Sequence, residues 1–490
     1  MPSARHNRSL LASSPSKQKE ASLGRHVLRC DKRYHAQTAK HCHVVVSTAK
    51  PCHVERSETS YDSSLPLTIT TGVGYAHNDS HAVFRMTTGL PFVQNDGHPN
   101  DRDDVLAGMR RPLSNYTVRC RLQRASRRIA PAQEEKGMRE ESFAFLKRLV
   151  DTPGPSGYEQ AVQRIYREAV SAYADEVRTD VMGNVFAVRN PQGKPRIMLA
   201  GHADEIGFQV RYISDDGMIY FGSIGGHDPV VTVGQRVQVH TASGPILGVL
   251  GRRAVHLMET EERGKSVKLD DLWIDIGVKD RKEAEALVSI GDCITYAQDL
   301  QPLQGSLCTA RSFDNKMGVF VIAEALRMLE KSDLQAAVFA VSTVQEEIGL
   351  RGARASAYGV DPLVGLATDV GHAMDFPGAE KKRVGDIRLG NGPIITRGAN
   401  INPRVFELLT QTARELEIPY QVNAAPGATG TDANAMQISR AGMATGLIGV
   451  PLRYMHTPSE VMNLDDIENA ARLMAGFCER VTAEMDWTPL

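Results

Sequence analysis

Five short segments carry the side chains in this chain that could do chemistry together. They are Gly201-His202-Ala203-Asp204-Glu205, Ser312-Phe313-Asp314-Asn315-Lys316, Gln345-Glu346-Glu347-Ile348-Gly349, Thr368-Asp369-Val370 and Tyr454-Met455-His456-Thr457. Singly, each has an ordinary explanation. A His-x-Asp at a strand end is commonly a buried, hydrogen-bonded histidine, and a Glu-Glu pair is usually a solvated surface. An aspartate before a helix is by default an N-cap, and one after an apolar run can simply start a turn. Together, however, the segments supply two imidazoles and several carboxylates, the nitrogen and oxygen ligands that zinc and cobalt take. A pair of such ions sharing one carboxylate can clamp a hydroxide and a scissile carbonyl. The adjacent Glu346 and Glu347 would then divide the work. Successive side chains of an extended segment point apart, so one would bind metal while the other serves as general base.

The elements that must position these groups are legible as apolar runs that end at them. The run 197–200 leads straight into His202, 338–344 ends in Glu346-Glu347, 363–367 ends at Asp369, and 445–450 leads through Pro451 towards His456. Helical periodicity over 140–150, 158–174, 318–329, 403–416 and 465–485 separates or flanks them. Alternating apolar strands and amphipathic helices predict an α/β fold, a sandwich around a largely parallel sheet. Sites in such sheets form beyond the carboxyl ends of the strands, where all these candidates fall. Residues 208–300 differ: short β-rich runs at 208–212, 218–221, 236–240, 246–250, 272–276 and 293–296 alternate with Gly- or Asp-rich turns. They predict a small β-domain inserted into the α/β domain, which itself would comprise 138–207 and 301–490.

At 490 residues the chain calls for two or three domains. A formal charge of −1 hides an asymmetry: residues 1–137 hold 21 Lys and Arg against 12 Asp and Glu, and the rest carry a net −10. The acidic body gives no support for nucleic-acid binding. No stretch of about 18 apolar residues exists, so neither a membrane span nor a membrane partner is expected. Seven cysteines in no framework spacing fit a reduced, cytoplasmic setting. The basic extension 1–137 shows no sustained periodicity and is expected to be disordered. Its near-repeat Cys42-His43 and Cys52-His53 lacks zinc-finger spacing. The run from Pro51 to Ser60 resembles translated bacterial intergenic repeat DNA, so the functional protein is expected to start near Met138, with the extension a start-site artefact.

Further motifs narrow the reading: Pro153-Gly154-Pro155-Ser156-Gly157-Tyr158-Glu159, Ile224-Gly225-Gly226-His227-Asp228-Pro229, Ala254-Val255-His256-Leu257-Met258, Asp275-Ile276-Gly277 and Gly430-Thr431-Asp432-Ala433. With the five segments above, this ordered set resembles the TET-type (tetrahedral) aminopeptidases, the glutamyl aminopeptidase or "cellulase M" family of co-catalytic metallopeptidases, over essentially all of 138–490. The resemblance implies a zinc-exopeptidase-like three-layer sandwich around a largely parallel mixed sheet. It also implies two divalent ions, Zn or Co, and removal of N-terminal residues from peptides. Carried over by position, His202 and Asp369 would hold one ion, Glu347 and His456 the other, and Asp314 would bridge them. Glu346 would be the base that activates the hydrolytic water and protonates the leaving amine, with Asp204 orienting His202. The insert would dimerise, and dimers would assemble into a dodecamer. The departures are His227, where many relatives have tryptophan, and Asn315-Lys316 after the bridging aspartate. N-acyl amino acid deacylation on the same centre is the alternative. An endoglucanase could use paired carboxylates, but would leave two histidines without purpose.

Overall fold

The computed structural model describes residues 137–489, and the expectations for the basic extension and its Cys-His pairs lie outside the described residues. The helices Glu140–Asp151 and Gln160–Val170 come first, followed by strands β1 (Glu176–Thr179), β2 (Val185–Arg189) and β3 (Arg196–His202). The chain then builds a closed six-stranded barrel from β4 (Gly207–Ile213), β5 (Ile219–Ile224), β6 (Arg236–Thr241), β7 (Gly244–Gly251), β8 (Trp273–Asp275) and β9 (Cys293–Tyr296), ordered β4-β5-β8-β7-β6-β9. All six runs marked out in the sequence between 208 and 300 are strands of this barrel. Its own small core gathers Phe208, Val237, Val239, Ile274 and Ile294.

After β10 (Gln301–Pro302) and β11 (Leu307–Ala310), the chain returns to the first sheet with β12 (Ala337–Thr343), β13 (Val364–His372), β14 (Ile394–Gly398), β15 (Gln421–Ala425) and β16 (Ala444–Leu452). Strand β17 (Glu460–Asn463) pairs with β11 in a small three-stranded sheet. The large sheet is ordered β1-β2-β12-β3-β13-β16-β14-β15. Its centre, β12-β3-β13-β16, is parallel throughout, and the antiparallel pairings lie outside it.

Alternation along the central strands explains the three layers. Ile197 and Leu199 pack into one core with the helices Gln160–Val170, Phe313–Met328 and Leu464–Arg480. Met198 and Ala200, one residue out of phase, pack into a second core with Ala353, Ala357 and Met436. A strand buried on both faces must be apolar at every position, which is why β3 and β12 read as continuous apolar runs. Fully buried aliphatic side chains of this kind each contribute roughly 1.5–3 kcal/mol. Register brings Thr343 of β12 opposite His202 of β3, and Asp369 of β13 opposite Gly449 of β16. The carboxyl ends of four parallel strands therefore meet in one place. Among the described residues no helix is long and apolar enough to cross a membrane.

Candidate metal centre

His202 and His456 approach Asp314 from opposite sides. His202 Nε2 lies 3.4 Å from Asp314 Oδ1, and His456 Nε2 lies 3.3 Å from Asp314 Oδ2. His202 Nε2 is also 3.8 Å from Asp369 Oδ1 and 3.8 Å from Glu346 Oε2, while His456 Nε2 is 3.5 Å from Glu347 Oε1. Two ligand atoms held at the ~2.0–2.2 Å bonds of a tetrahedral ion stand roughly 3.4 Å apart, so these spacings suit shared ions. The ligand atoms fall into three overlapping groups: His202 with Asp314 and Asp369, Asp314 with Glu347 and His456, and His202 with Glu346 and Glu347. The fold thus brings together all six candidate ligand and base side chains named from the sequence, with Asp204 behind them.

Local structure differs from expectation at three points. Asp369 lies inside β13 rather than after it, because the strand runs on through His372. Asp314 is not an N-cap; it sits within the first turn of the helix Phe313–Met328 with ψ 105°, and its peptide to Asn315 is cis. Asn315 ties this irregular turn to the next strand by donating from Nδ2 to Thr368 O at 2.9 Å, next to Asp369. Finally, Glu346 and Glu347 do not point apart along an extended strand. Gln345 adopts φ 57°, a left-handed conformation just beyond β12, and both glutamates reach the cluster.

Asp204 holds that turn. Its Oδ1 accepts the Glu346 N–H at 3.0 Å and its Oδ2 the Glu347 N–H at 3.1 Å, while Ser156 donates its hydroxyl to Oδ2 at 2.6 Å. Its contact with His202 is looser, Oδ1 standing 3.4 Å from Nδ1, whereas the backbone Asp204 O lies 3.1 Å from the same nitrogen. Asp204 therefore positions the Glu-Glu backbone at least as firmly as it orients the histidine. The barrel supplies a lip: a Cβ at Gly225 would come within 3.3 Å of Glu347 Oε2, and one at Gly226 within 3.4 Å of His456 Nδ1. His227 next to them stacks on Phe208 at 4.2 Å, and burial pushes its pKa down to about 4, so the ring is neutral.

The electrostatics are those of too many acids in too little water. Burial raises Glu347 to about 8, with Asp314 adding to the rise, and burial raises Glu346 to about 10 against the pull of His202. Asp369 is driven well above its ordinary value, again chiefly by burial. Asp314 is buried too, yet its hydrogen bonds to both histidines hold it below the usual carboxylate range. Contact with Asp314 lifts His456 to about 9; burial lowers His202, but Glu346, Asp204 and Asp314 more than offset that. Four clustered carboxylates against two imidazoles are an electrostatic deficit that divalent cations would fill, and the donor set is of the kind that binds them.

Three supporting residues escaped the sequence reading. Glu460, 1 % exposed, accepts the N–H of Asp314 at 3.1 Å and of His456 at 3.2 Å. Glu205 takes Lys316 Nζ at 2.5 Å, Arg311 Nε at 3.1 Å and the Gly154 N–H at 2.9 Å in a buried network beside His202. Asp432 accepts the Thr343 hydroxyl at 2.6 Å through Oδ2, leaving Oδ1 without a partner among the described residues. Glu205 stands in the segment that follows β3 and Asp432 in the run Gly430-Thr431-Asp432-Ala433, neither with a role read from the sequence; nothing local distinguishes Glu460 from a surface acid.

Residues 183–473 match the family described as M42 glutamyl aminopeptidase. The lysyl aminopeptidase of Pyrococcus furiosus is 36% identical over 350 residues, covering 71% of this chain and 99% of that protein. The TET aminopeptidase from the marine sediment archaeon Thaumarchaeota archaeon SCGC AB-539-E09 superposes with a TM-score of 0.68 at 35% identity, over 70% of this chain and 98% of the other. The Pyrococcus horikoshii TET1 peptidase, which can assemble into a tetrahedron or a large octahedral shell, gives 0.63 at 29% identity over 69% and 100%.

Proposed function

The chain belongs to the M42 glutamyl aminopeptidase family, a hydrolase family acting on peptide bonds, and from that premise we propose a metal-dependent removal of N-terminal residues from peptides at the Asp314 cluster. The observation that carries this is the division of one carboxylate between two histidines, Oδ1 to His202 and Oδ2 to His456. His202 and Asp369 would hold one divalent ion, Glu347 and His456 a second, and Asp314 both, with zinc or cobalt suited to these ligands. When bound, such ions polarise a carbonyl and lower the pKa of water.

The remaining work falls to the chain's own groups. Glu346 would take the proton from the hydrolytic water and deliver it to the leaving amine nitrogen; burial favours its protonated form, and cations bound beside it would restore the carboxylate that accepts the proton. Asp204 fixes the Glu346 and Glu347 backbone, so that base and ligand keep their spacing. Glu460 fixes Asp314 and His456 in the same way. Deacylation of N-acyl amino acids would need a site that rejects a free amine, and no observation favours it.

We further propose that the barrel is a dimerisation surface and that dimers build a dodecamer. Leu247 and Val249 of β7 point outward, exposed, as a contact face would require. The setting proposed is the cytoplasm.

The test is a panel of aminoacyl-p-nitroanilides. Cleavage should be abolished by a chelator and restored by Zn²⁺ or Co²⁺. Undiminished turnover after complete metal removal, or cellulose cleavage that survives chelation, would overturn the reading.

A further inference from the structure

Behind the Glu346 turn, on the side away from the metal ligands, lies a half-open cavity of about 230 Å³. Its lining includes Glu159, Gln163, Arg164, Arg167, Met182 and Val344. Glu159 is only 4 % exposed and has no cationic partner among the described residues. Its Oε1 accepts the N–H of Gly157 at 2.7 Å and of Gln345 at 3.1 Å, while its Oε2 takes no hydrogen bond from any other described residue. Gln163, 6 % exposed, donates its amide to Ser342 O at 2.9 Å and leaves Oε1 without a partner among the described residues. A buried amide oxygen without a partner among the described residues, and a carboxylate oxygen to which no other described residue donates, call for a ligand that brings N–H donors.

The opposite demand sits on the same wall. Arg164 and Arg167, three residues apart on one face of the helix Gln160–Val170, are exposed and lie over the cavity. Arg164 has no ion-pair partner among the described residues, and Arg167 makes only a 3.1 Å bond to Thr179 Oγ1. A guanidinium pair of this kind recognises a carboxylate. Met182 and Val344 supply apolar lining to the same cavity. One class of small molecule carries an ammonium, a carboxylate and an apolar side chain within such a volume.

We propose that this cavity binds a free α-amino acid, its ammonium on Glu159 and Gln163 and its carboxylate on Arg164 and Arg167. Glu159 also holds the N–H of Gln345, whose left-handed backbone carries Glu346 and Glu347 into the centre. An ammonium on Oε2 draws charge away from that bond and loosens the turn, so occupation lowers kcat without raising KM. Resting on the peptidase reading, this is feedback by the class of product the reaction releases.

The experiment titrates L-leucine into the full, metal-loaded chain by calorimetry and follows its effect on p-nitroanilide turnover. Binding should weaken roughly tenfold or more in the Arg164→Ala/Arg167→Ala double variant, the loss expected for one charge-assisted bond, with basal kcat/KM unchanged. N-acetyl-L-leucine and L-leucinol, each lacking one charge, should bind weaker by a similar factor, and L-leucine should depress kcat. Purely competitive inhibition that the double variant leaves intact would place leucine in the catalytic site alone and overturn the proposal, as would either analogue binding as tightly as L-leucine. Calorimetry needs no turnover. Arginine-dependent binding in a chain that cleaves no peptide would refute the proposed function and keep the cavity; an active peptidase without such binding would do the reverse.

Discussion

Glu460 accepts the backbone N–H of Asp314 across 146 positions of sequence, while its second oxygen accepts the N–H of His456. One buried carboxylate thus sets the spacing of a bridging ligand and a terminal one. Groups that orient metal ligands are typically worth 10–100-fold in affinity or activity. Glu460→Gln, which must turn an NH₂ towards one of those N–H donors, should lose metal on dialysis and fall in kcat by roughly that factor. Excess metal should recover part of the activity. A variant retaining its full metal content and rate would reduce Glu460 to a packing role.

Glu346 is placed differently from the ligands, 3.8 Å from His202 Nε2 and held only through its backbone by Asp204. Glu346→Gln should lower kcat by roughly 10²–10⁴, the usual scale of general-base loss, and leave metal content and KM as they were. Elemental analysis alongside steady-state kinetics separates this from a ligand loss. Metal lost in step with activity would make Glu346 a ligand.

Much of this centre could be read in advance because β3, β12, β13 and β16 are apolar runs buried on both faces, with the polar candidates at or just beyond their carboxyl ends. The barrel was legible for the opposite reason, short runs broken by Gly- and Asp-rich turns. What stayed hidden depends on tertiary context. The helix Arg351–Val360 buries only Gly352, Ala353, Ser356, Ala357 and Val360, so it offers no large apolar stripe to detect. Strand β15 alternates between half-buried and exposed polar and small residues, which resembles a loop. The glutamates were assigned opposite directions from the rule for extended chain, and the φ 57° turn at Gln345 removed the premise. Glu460 and Glu205 became legible only when the segments they bridge were side by side.

Metal uptake should release protons. Without metal, Glu347 sits at about 8, His456 at about 9 and Glu346 at about 10, so all three hold protons at neutral pH. A cation entering the cluster must displace protons from its ligands, and affinity therefore rises with pH between about 6 and 8. Zinc titration of chelator-stripped protein, in two buffers of different ionisation enthalpy, reads the release directly. Uptake that is proton-neutral at pH 7 would contradict the electrostatic picture of the site.

Glu205 is the buried anion facing two buried cations, Lys316 Nζ and Arg311 Nε, with all three side chains at most 3 % exposed; the other carboxylate beside Arg311, Asp299, is largely exposed and 3.8 Å from Nη1. Removing the buried counter-charge of such a pair leaves its partners uncompensated, at a cost of about 3–5 kcal/mol. Glu205→Gln should therefore destabilise more than Lys316→Met, which leaves Arg311 paired. Burial raises the Glu205 pKa, but Arg311 and Lys316 outweigh it and hold the group below its ordinary 4.5. A carboxylate depressed in the folded state contributes stability that is present above the unfolded pKa and is lost as pH falls through the folded one. The deficit of Glu205→Gln against the wild-type chain should thus be full at neutral pH and shrink below 4.5. Urea unfolding at a series of pH values measures it. A deficit that stays constant into acid would mean that the charge on Glu205 is not what stabilises the turn next to His202.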